Sequence, residues 1–460
     1  METVPQTKTI VYKGKEKIIP LHNPDKNNCE FFIVPKFRYC HFQKYNNTDY
    51  CVYHTSNDKE EFLICPYDKK HRILKSKYKA HLKTCNVLQA RKEYEAQKWF
   101  SKEINHAKDP KGYINQEELN KFYEMKWDDL SDSEYEAMLD KVLSTYNTLK
   151  EMYLSYVKEN NIDSIVAQLN KDINSEIKFA ISGVSVDTET DLKSTSQLIH
   201  SQKHSIQNKA LALLAVKSNL INDSNILVVE FGAGKGGLSK SINEIQGKTI
   251  INVLLERQGM RHKKEAKVDS MVRYRTDIID FNLNYLYDNM KDIDIENKEK
   301  VKLYSDNKDK VDIVGVAKHI CGCAFDLSLS CLFNYCKFSS NVKGVCMATC
   351  CHHMCRVELL NHLDFYVEKL NMSIKEIVFL FKATSWIFGS ISNKNNVPKH
   401  EEIFTKKNTS RKYIGLISKY TVDLARVMCL INKGFKVCYI KYCDNGVTTE
   451  NNVILAMKNK

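Results

Sequence analysis

A chain of 460 residues with 43% apolar and 27% charged residues is long enough for two or three domains and a large buried core. Its most apolar stretch, around Leu211 to Val216, is far shorter than the ~18 residues a membrane span needs, and the N-terminus has no apolar leader. Neither a membrane partner nor a secretory signal is expected, and the cytoplasm or nucleus is the expected setting. There, 16 cysteines read as metal ligands, reactive thiols or small core residues rather than disulfides, and the formal charge of +13 favours a polyanionic partner without naming one.

Residues 1–28 are polar and read as a flexible arm. Two ligand sets follow. Cys29-x10-Cys40-x10-Cys51-x2-His54 forms a CCCH-type module at 29–54, and Cys65-x5-His71-x9-His81-x3-Cys85 forms a CHHC-type module at 65–85. Thiolates and neutral imidazoles in sets of four make closed tetrahedral zinc sites. His81 and Cys85 stand one helical turn apart, so both can face one ion, over an apolar stripe of Leu74, Tyr78 and Leu82. Chance in a cysteine-rich chain is the plainer alternative, but all five cysteines of this stretch fall into the two sets. Two structural zinc ions are expected, with no position open for chemistry. Residues 1–95 carry 18 Lys/Arg against 11 Asp/Glu.

Residues 86–222 lack cysteine and read as a helical connector. Leu139, Val142, Leu143 and Tyr146 recur at helical spacing, and an amphipathic helix runs from about Gln197 to Leu220. From Asn225 short β-branched runs alternate with helical stretches, as in an α/β sheet with helices on both faces. The expected strands are Ile226–Phe231, Thr249–Leu255, Val272–Arg275, Val311–Ala317 and Val342–Met347, with Phe435–Tyr442 and Val453–Met457 as a closing antiparallel pair. The polar segments 288–310 and 390–412 read as surface loops.

The first of these strands runs into Gly232-Ala233-Gly234-Lys235-Gly236-Gly237 and then a helix. A strand, a glycine turn and a helix cradle a nucleotide-type ligand, because glycine lets backbone approach it closely. No Gly-Lys-Ser/Thr closes the loop, so it is not a P-loop. Glu230 precedes the glycines, Glu256 ends the second strand where it can reach ribose hydroxyls, and Asp277 ends the third where it can contact an adenine amino group. Acidic groups after successive strands favour S-adenosylmethionine (SAM) on a Rossmann-like class I methyltransferase fold at 223–460; an NAD site is the alternative.

Two clusters follow the fourth and fifth strands: Lys318-His319-Ile320-Cys321-Gly322 and Cys350-Cys351-His352-His353. In an open α/β sheet the ligand crevice lies beyond the carboxyl ends of the strands, so both clusters are expected to converge on the transferred methyl. Lys318 or His319 is a candidate base, and Lys318 is equally a candidate phosphate contact. Cys350 and Cys351 as buried fillers, with His352 and His353 bonded to backbone, is the plainer reading of the second cluster. One metal held by all four of its residues is disfavoured, since adjacent side chains cannot easily surround one ion.

Taken together, these elements resemble the eukaryotic tRNA ribose 2′-O-methyltransferases that modify nucleotide 4 of the acceptor stem. The resemblance covers the two zinc modules and residues 225–457. It is carried by Glu230-Phe231-Gly232-Ala233-Gly234-Lys235-Gly236, by the Lys318–Gly322 run and by Cys350-Cys351-His352-His353. Ser385-Trp386, Ile414-Gly415 and Glu450-Asn451 carry it more weakly. It implies SAM as methyl donor, the tRNA acceptor stem as partner, and Lys318, His319, Asp326, Cys351, His352 and His353 as catalytic candidates. One departure stands at Ala324-Phe325-Asp326, where the family tends to read Ala-Thr-Asp. A methyltransferase for another RNA or for a protein, and a non-catalytic zinc-finger RNA-binding protein, are the rival readings. No sequence feature assigns a protein partner.

Overall fold

The computed structural model describes residues 7–458, except for the internal segments 13–14, 46, 52, 55–61, 110, 175, 177–181, 184–199, 223–224, 248–249, 261–267, 335–338 and 389–399. The chain divides into two compact units, Met1–Ala96 and Gln97–Lys460.

In the first unit, Thr7–Tyr12 and Lys15–Pro20 pair as an antiparallel hairpin, where the polar composition predicts a flexible arm. Alternation of Thr, Ile and Val with Lys and Glu suits a strand pair that composition alone hides. Each Cys/His set has its own small hairpin: Phe32–Ile33 with Arg38–Tyr39, and Phe62–Ile64 with Arg72–Leu74. Helix Lys75–Thr84 follows the second directly.

The second unit is built on helices α1 (Asp132–Glu159), α2 (Ile162–Asn174), α3 (His200–Lys217), α4 (Gly237–Gln246), α5 (Ile374–Ala383) and α6 (Arg411–Asn432). Its strands are β1 (Ile226–Phe231), β2 (Ile251–Leu255), β3 (Met271–Tyr274), β4 (Asp312–Cys321), β5 (Val342–Cys350), β6 (Phe435–Lys441) and β7 (Asn452–Lys458). They form one mixed, mostly parallel sheet in the order β3-β2-β1-β4-β5-β7-β6, extended at the β6 edge by Ser182–Gly183. β7 runs antiparallel to both of its neighbours. β1 and β2 are buried at every residue, the pattern of strands covered on both faces.

Of the expected connector, helix Asn86–Glu95 lies in the first unit, and the described helices from Gln97 onward belong to this second one. α1 starts at a capping box, in which Ser131 and Glu134 satisfy each other's backbone amides. It buries Tyr135, Leu139, Val142, Tyr146, Leu149 and Tyr153, a stripe at alternating four- and three-residue spacing. Two of its tyrosines also finish the sheet edge: Val437 and Tyr439 donate their backbone amides to the hydroxyls of Tyr156 and Tyr153. These are edge-strand donors that would otherwise invite another strand.

The 288–310 segment is not a surface loop. It holds helix Lys298–Asp306, whose buried Tyr304 donates to the carbonyl of Ile226 at 2.6 Å. Of the 390–412 segment, 390–399 lie outside the described residues, and Glu401–Lys406 is helical. Among the described residues, no helix is long and apolar enough to cross a membrane.

Candidate functional site

In the first unit, the donor atoms of Cys29, Cys40, Cys51 and His54 lie within 4.8 Å of one another, as do those of Cys65, His71, His81 and Cys85. Two thiolates on one tetrahedral zinc, each at ~2.3 Å, stand about 3.8 Å apart. The Sγ atoms of Cys65 and Cys85 are 3.8 Å apart, and those of Cys40 and Cys51 are 3.9 Å apart. His81 Nε2 is buried with no hydrogen-bond partner, and His71 turns Nδ1 toward Cys85 while its Nε2 faces the Asp68 carboxylate at 3.6 Å. An orphaned ring nitrogen and a carboxylate behind a ligating imidazole both fit a metal at the centre. Tyr78, Leu74 and Leu82 are half-buried beside it, whereas Lys69, Lys70, Arg72, Lys75, Lys77, Lys79 and Lys83 are all exposed.

In the second unit, a cleft of about 800 Å³ opens over the glycine loop between α3 and the carboxyl ends of β1 and β4. Gly232 and Gly234 have φ of 62° and 51°, and a Cβ on Gly234 would meet nothing within 4 Å, so this backbone is bare toward the cleft. Ala233 is buried and Gly236 caps α4. Glu256 accepts the Gly234 amide at 2.9 Å and the Gln258 amide at 2.8 Å, and Arg273 donates to the Gly234 carbonyl at 2.8 Å. Glu230 is 3% exposed and accepts both the amide and the hydroxyl of Ser239. Burial pushes its carboxyl up to about 7, against those hydrogen bonds and the charge of Lys318.

Between Ala317 and Ile320 the pairing of β4 with β5 slips. Lys318 and His319 occupy this bulge, which breaks the alternation of the strand and re-aims both side chains. Both line the cleft. Lys318 Nζ is 3.0 Å from Nδ1 of His204 on α3, and the His204 and His319 rings meet edge to face at 5.8 Å. Burial pushes the Lys318 ammonium down to about 8, with the Glu230 charge pulling the other way.

Asp326 and His352, both expected on the catalytic rim, lie instead in a buried network behind it. Asp326 pairs with Arg426 at 2.6 Å, and Arg426 also donates to the Gly322 carbonyl at 2.9 Å. His352 Nε2 is 2.8 Å from Asp423, which also accepts from Thr349 and Tyr439 at 2.8 Å each. Burial opposes the Asp423 charge, yet His352, Arg426 and Lys419 hold it down at about 2. Thus α6 ties down the loops that follow β4 and β5. Cys351 is half-buried beside Cys321 and Cys350, while His353 is exposed at a separate cavity of about 210 Å³ that Tyr123, Arg356 and Lys382 also line. Asp277 caps the short helix Ile278–Asp280 and pairs with Arg257 at 3.4 Å rather than lining the cleft.

Sequence reasoning missed His204 and Asn208, which close the cleft from α3. The Asn208 amide sits where any Cβ on Gly237 would fall, 2.4 Å from it. It also missed Arg273, Asp423 and Arg426. The signal for the last two was present: α6 is apolar through most of its length, and its Lys419, Asp423 and Arg426 are nonetheless buried.

A mostly parallel sheet with helices thus brings a bare glycine turn and a lysine-histidine bulge to one cleft of an α/β protein, with the Glu256 carboxylate bound to the backbone of that turn. Residues 206–457, more than half of the chain, match the family Methyltransferase TRM13, and residues 62–86 match the U11-48K-like CHHC zinc finger. The chain belongs to the Methyltransferase TRM13 family. It is 26% identical to the tRNA:m(4)X modification enzyme TRM13 of Debaryomyces hansenii, over 92% of this chain and 90% of that one. It is 24% identical to the enzyme of the same name from Vanderwaltozyma polyspora, over 95% and 99%. With the Mus musculus homolog the identity is 22%, over 94% and 95%. No solved structure matches.

Proposed function

We propose that this chain is a class I SAM-dependent methyltransferase that methylates the ribose 2′-hydroxyl of nucleotide 4 in the tRNA acceptor stem. The observation that carries this reading is the meeting of the glycine loop with the Lys318–His319 bulge in one cleft, in a chain of this family. The strand order, with its antiparallel β7, supports the class I assignment. The relatives' printed name, tRNA:m(4)X modification enzyme, supports the substrate and the position.

The bare loop and its acidic neighbours fit SAM: the backbone around Gly232 and Gly234, braced by Glu256, would lie against its nucleoside. When bound, SAM supplies an electrophilic methyl group. The rest falls to the chain. Lys318, neutral in a large fraction of molecules near pH 8, takes the 2′-hydroxyl proton as the oxygen attacks. His204 Nδ1 accepts from the Lys318 ammonium and keeps it aimed. Glu230, tied to Ser239, supplies a fixed carboxylate nearby. Burial of the cleft and the rigid loops behind it supply alignment, which carries most of an in-line displacement. Arg356 and Lys382, beside His353, are suited to the flanking phosphates.

Two structural zinc ions hold modules 29–54 and 65–85, and the exposed cations of the second module bind the phosphates of the stem. An A-form stem presents 2′-hydroxyls in a shallow minor groove and hides its bases, so recognition rests on shape and backbone. The test is direct: full-length protein, tRNA transcripts and labelled SAM should give labelled RNA and unlabelled protein. A protein that binds SAM and labels no RNA would contradict the reading.

A further inference from the structure

We propose a third metal site, separate from the two zinc modules and independent of the reaction assigned above: Cys321, Cys350 and Cys351 form a three-sulfur site for a thiophilic divalent ion such as zinc. The three Sγ atoms lie within 4.8 Å of one another, the same closeness that the two zinc modules show. Cys321 and Cys350 are register partners across β4 and β5, with sulfurs 3.4 Å apart. That is far longer than the ~2.05 Å of a disulfide and close to the about 3.8 Å of two thiolates on one tetrahedral ion.

Neighbouring residues of a strand point to opposite faces, so consecutive cysteines do not ordinarily meet at one ion. The backbone removes that objection. Cys351 has φ 51° and ψ 42°, a left-handed conformation uncommon for a side-chain-bearing residue, and its thiol thereby comes back to join that of Cys350. Such a conformation persists only where the surroundings enforce it. They do so here on both sides: Gly322, next to Cys321, donates its amide to the Cys350 carbonyl and gives its own carbonyl to Arg426, while His352, next to Cys351, is fixed on Asp423. The donors are therefore preset.

Cys350 is buried, Cys351 half-buried and Cys321 exposed, so an ion can enter from solvent. Three thiolates select a soft or borderline ion over magnesium or calcium. The fourth position is left to water or an added ligand. The ion would staple the loop that follows Lys318 and His319 to the loop that precedes His353.

The test uses full-length protein prepared with zinc and freed of excess. Elemental analysis should give three zinc ions per chain, and brief chelation should remove one before the other two. Cys321→Ser and Cys351→Gly should each carry two, with the finger zinc retained. Glycine suits the left-handed backbone, so the second variant should fold, with a melting temperature no lower than that of wild type after the brief chelation. Cobalt added to wild type after the brief chelation, with the two finger ions retained, should give a thiolate charge-transfer band that both variants lack. Two zinc ions in wild type, with Cys321 and Cys351 equally reactive toward a thiol reagent with and without zinc, would overturn the proposal. So would a disulfide among these three cysteines in protein isolated under reducing conditions.

Discussion

Nζ of Lys318 stands 3.0 Å from Nδ1 of His204, so the bulged end of β4 is joined to a helix that precedes the whole sheet in sequence. In the proposed mechanism the contact gives α3 a part in the reaction. The segment is a wall of the cleft, and its His204 holds the side chain proposed as the base.

Turnover should therefore depend on pH through Lys318. Its ammonium is pushed down to about 8, and the reactive form is the neutral amine, so the rate should climb about tenfold per pH unit below 8 and level off above it. Glu230→Gln removes a charge that stabilises the ammonium, which moves the climb to lower pH. Single-turnover rates from pH 6 to 9 measure this. A flat profile, or Lys318→Ala with wild-type turnover, would remove Lys318 from the chemistry.

Cofactor affinity should track the loop. Glu256→Ala removes the acceptor of the Gly234 amide and should weaken SAM binding by roughly 1–3 kcal/mol. Gly234→Val should abolish it, because φ 51° is strained for a branched side chain and the new methyls fill the bare side of the loop. Isothermal titration of both variants is the check; wild-type affinity in both would place the cofactor elsewhere.

Removing Arg426 should be costly. Its guanidinium, Asp326 and Asp423 are all fully buried. Arg426→Leu leaves the carboxylates without their counter-charge, a loss of about 3–5 kcal/mol. Denaturant unfolding measures it. A change under ~1 kcal/mol, within the range of ordinary exposed pairs, would show that the network contributes little.

These three predictions rest on parts of the molecule that were unequally legible in the sequence. The glycine turn and the two Cys/His clusters were readable because their pattern lies in local spacing. Sheet strands were readable because both-face burial leaves continuous apolar runs, as in Ile226–Phe231. What spacing cannot carry is a contact between distant segments. His204 meets Lys318 across 114 positions, and Arg426 meets Asp326 across 100. The bulge at Lys318–His319 was likewise invisible, since a one-residue slip depends on the partner strand. Asp326 and His352 were read as rim residues because a motif position tells which loop a side chain occupies, not which way it points.

The second zinc module should act as a phosphate clamp. Lys75→Glu with Lys79→Glu should weaken tRNA binding and flatten the plot of log affinity against log salt by about one unit per lost contact. SAM affinity should not change. Filter binding across a salt series decides it, and an unchanged slope would assign these exposed lysines to solvent.

The methyl group should go to one ribose oxygen. Full-length protein should label a tRNA transcript with methyl from SAM, and a transcript carrying a single 2′-deoxy nucleotide at position 4 should accept none. Equal labelling of both transcripts would mean that the acceptor is a base or another nucleotide, and not the ribose of nucleotide 4.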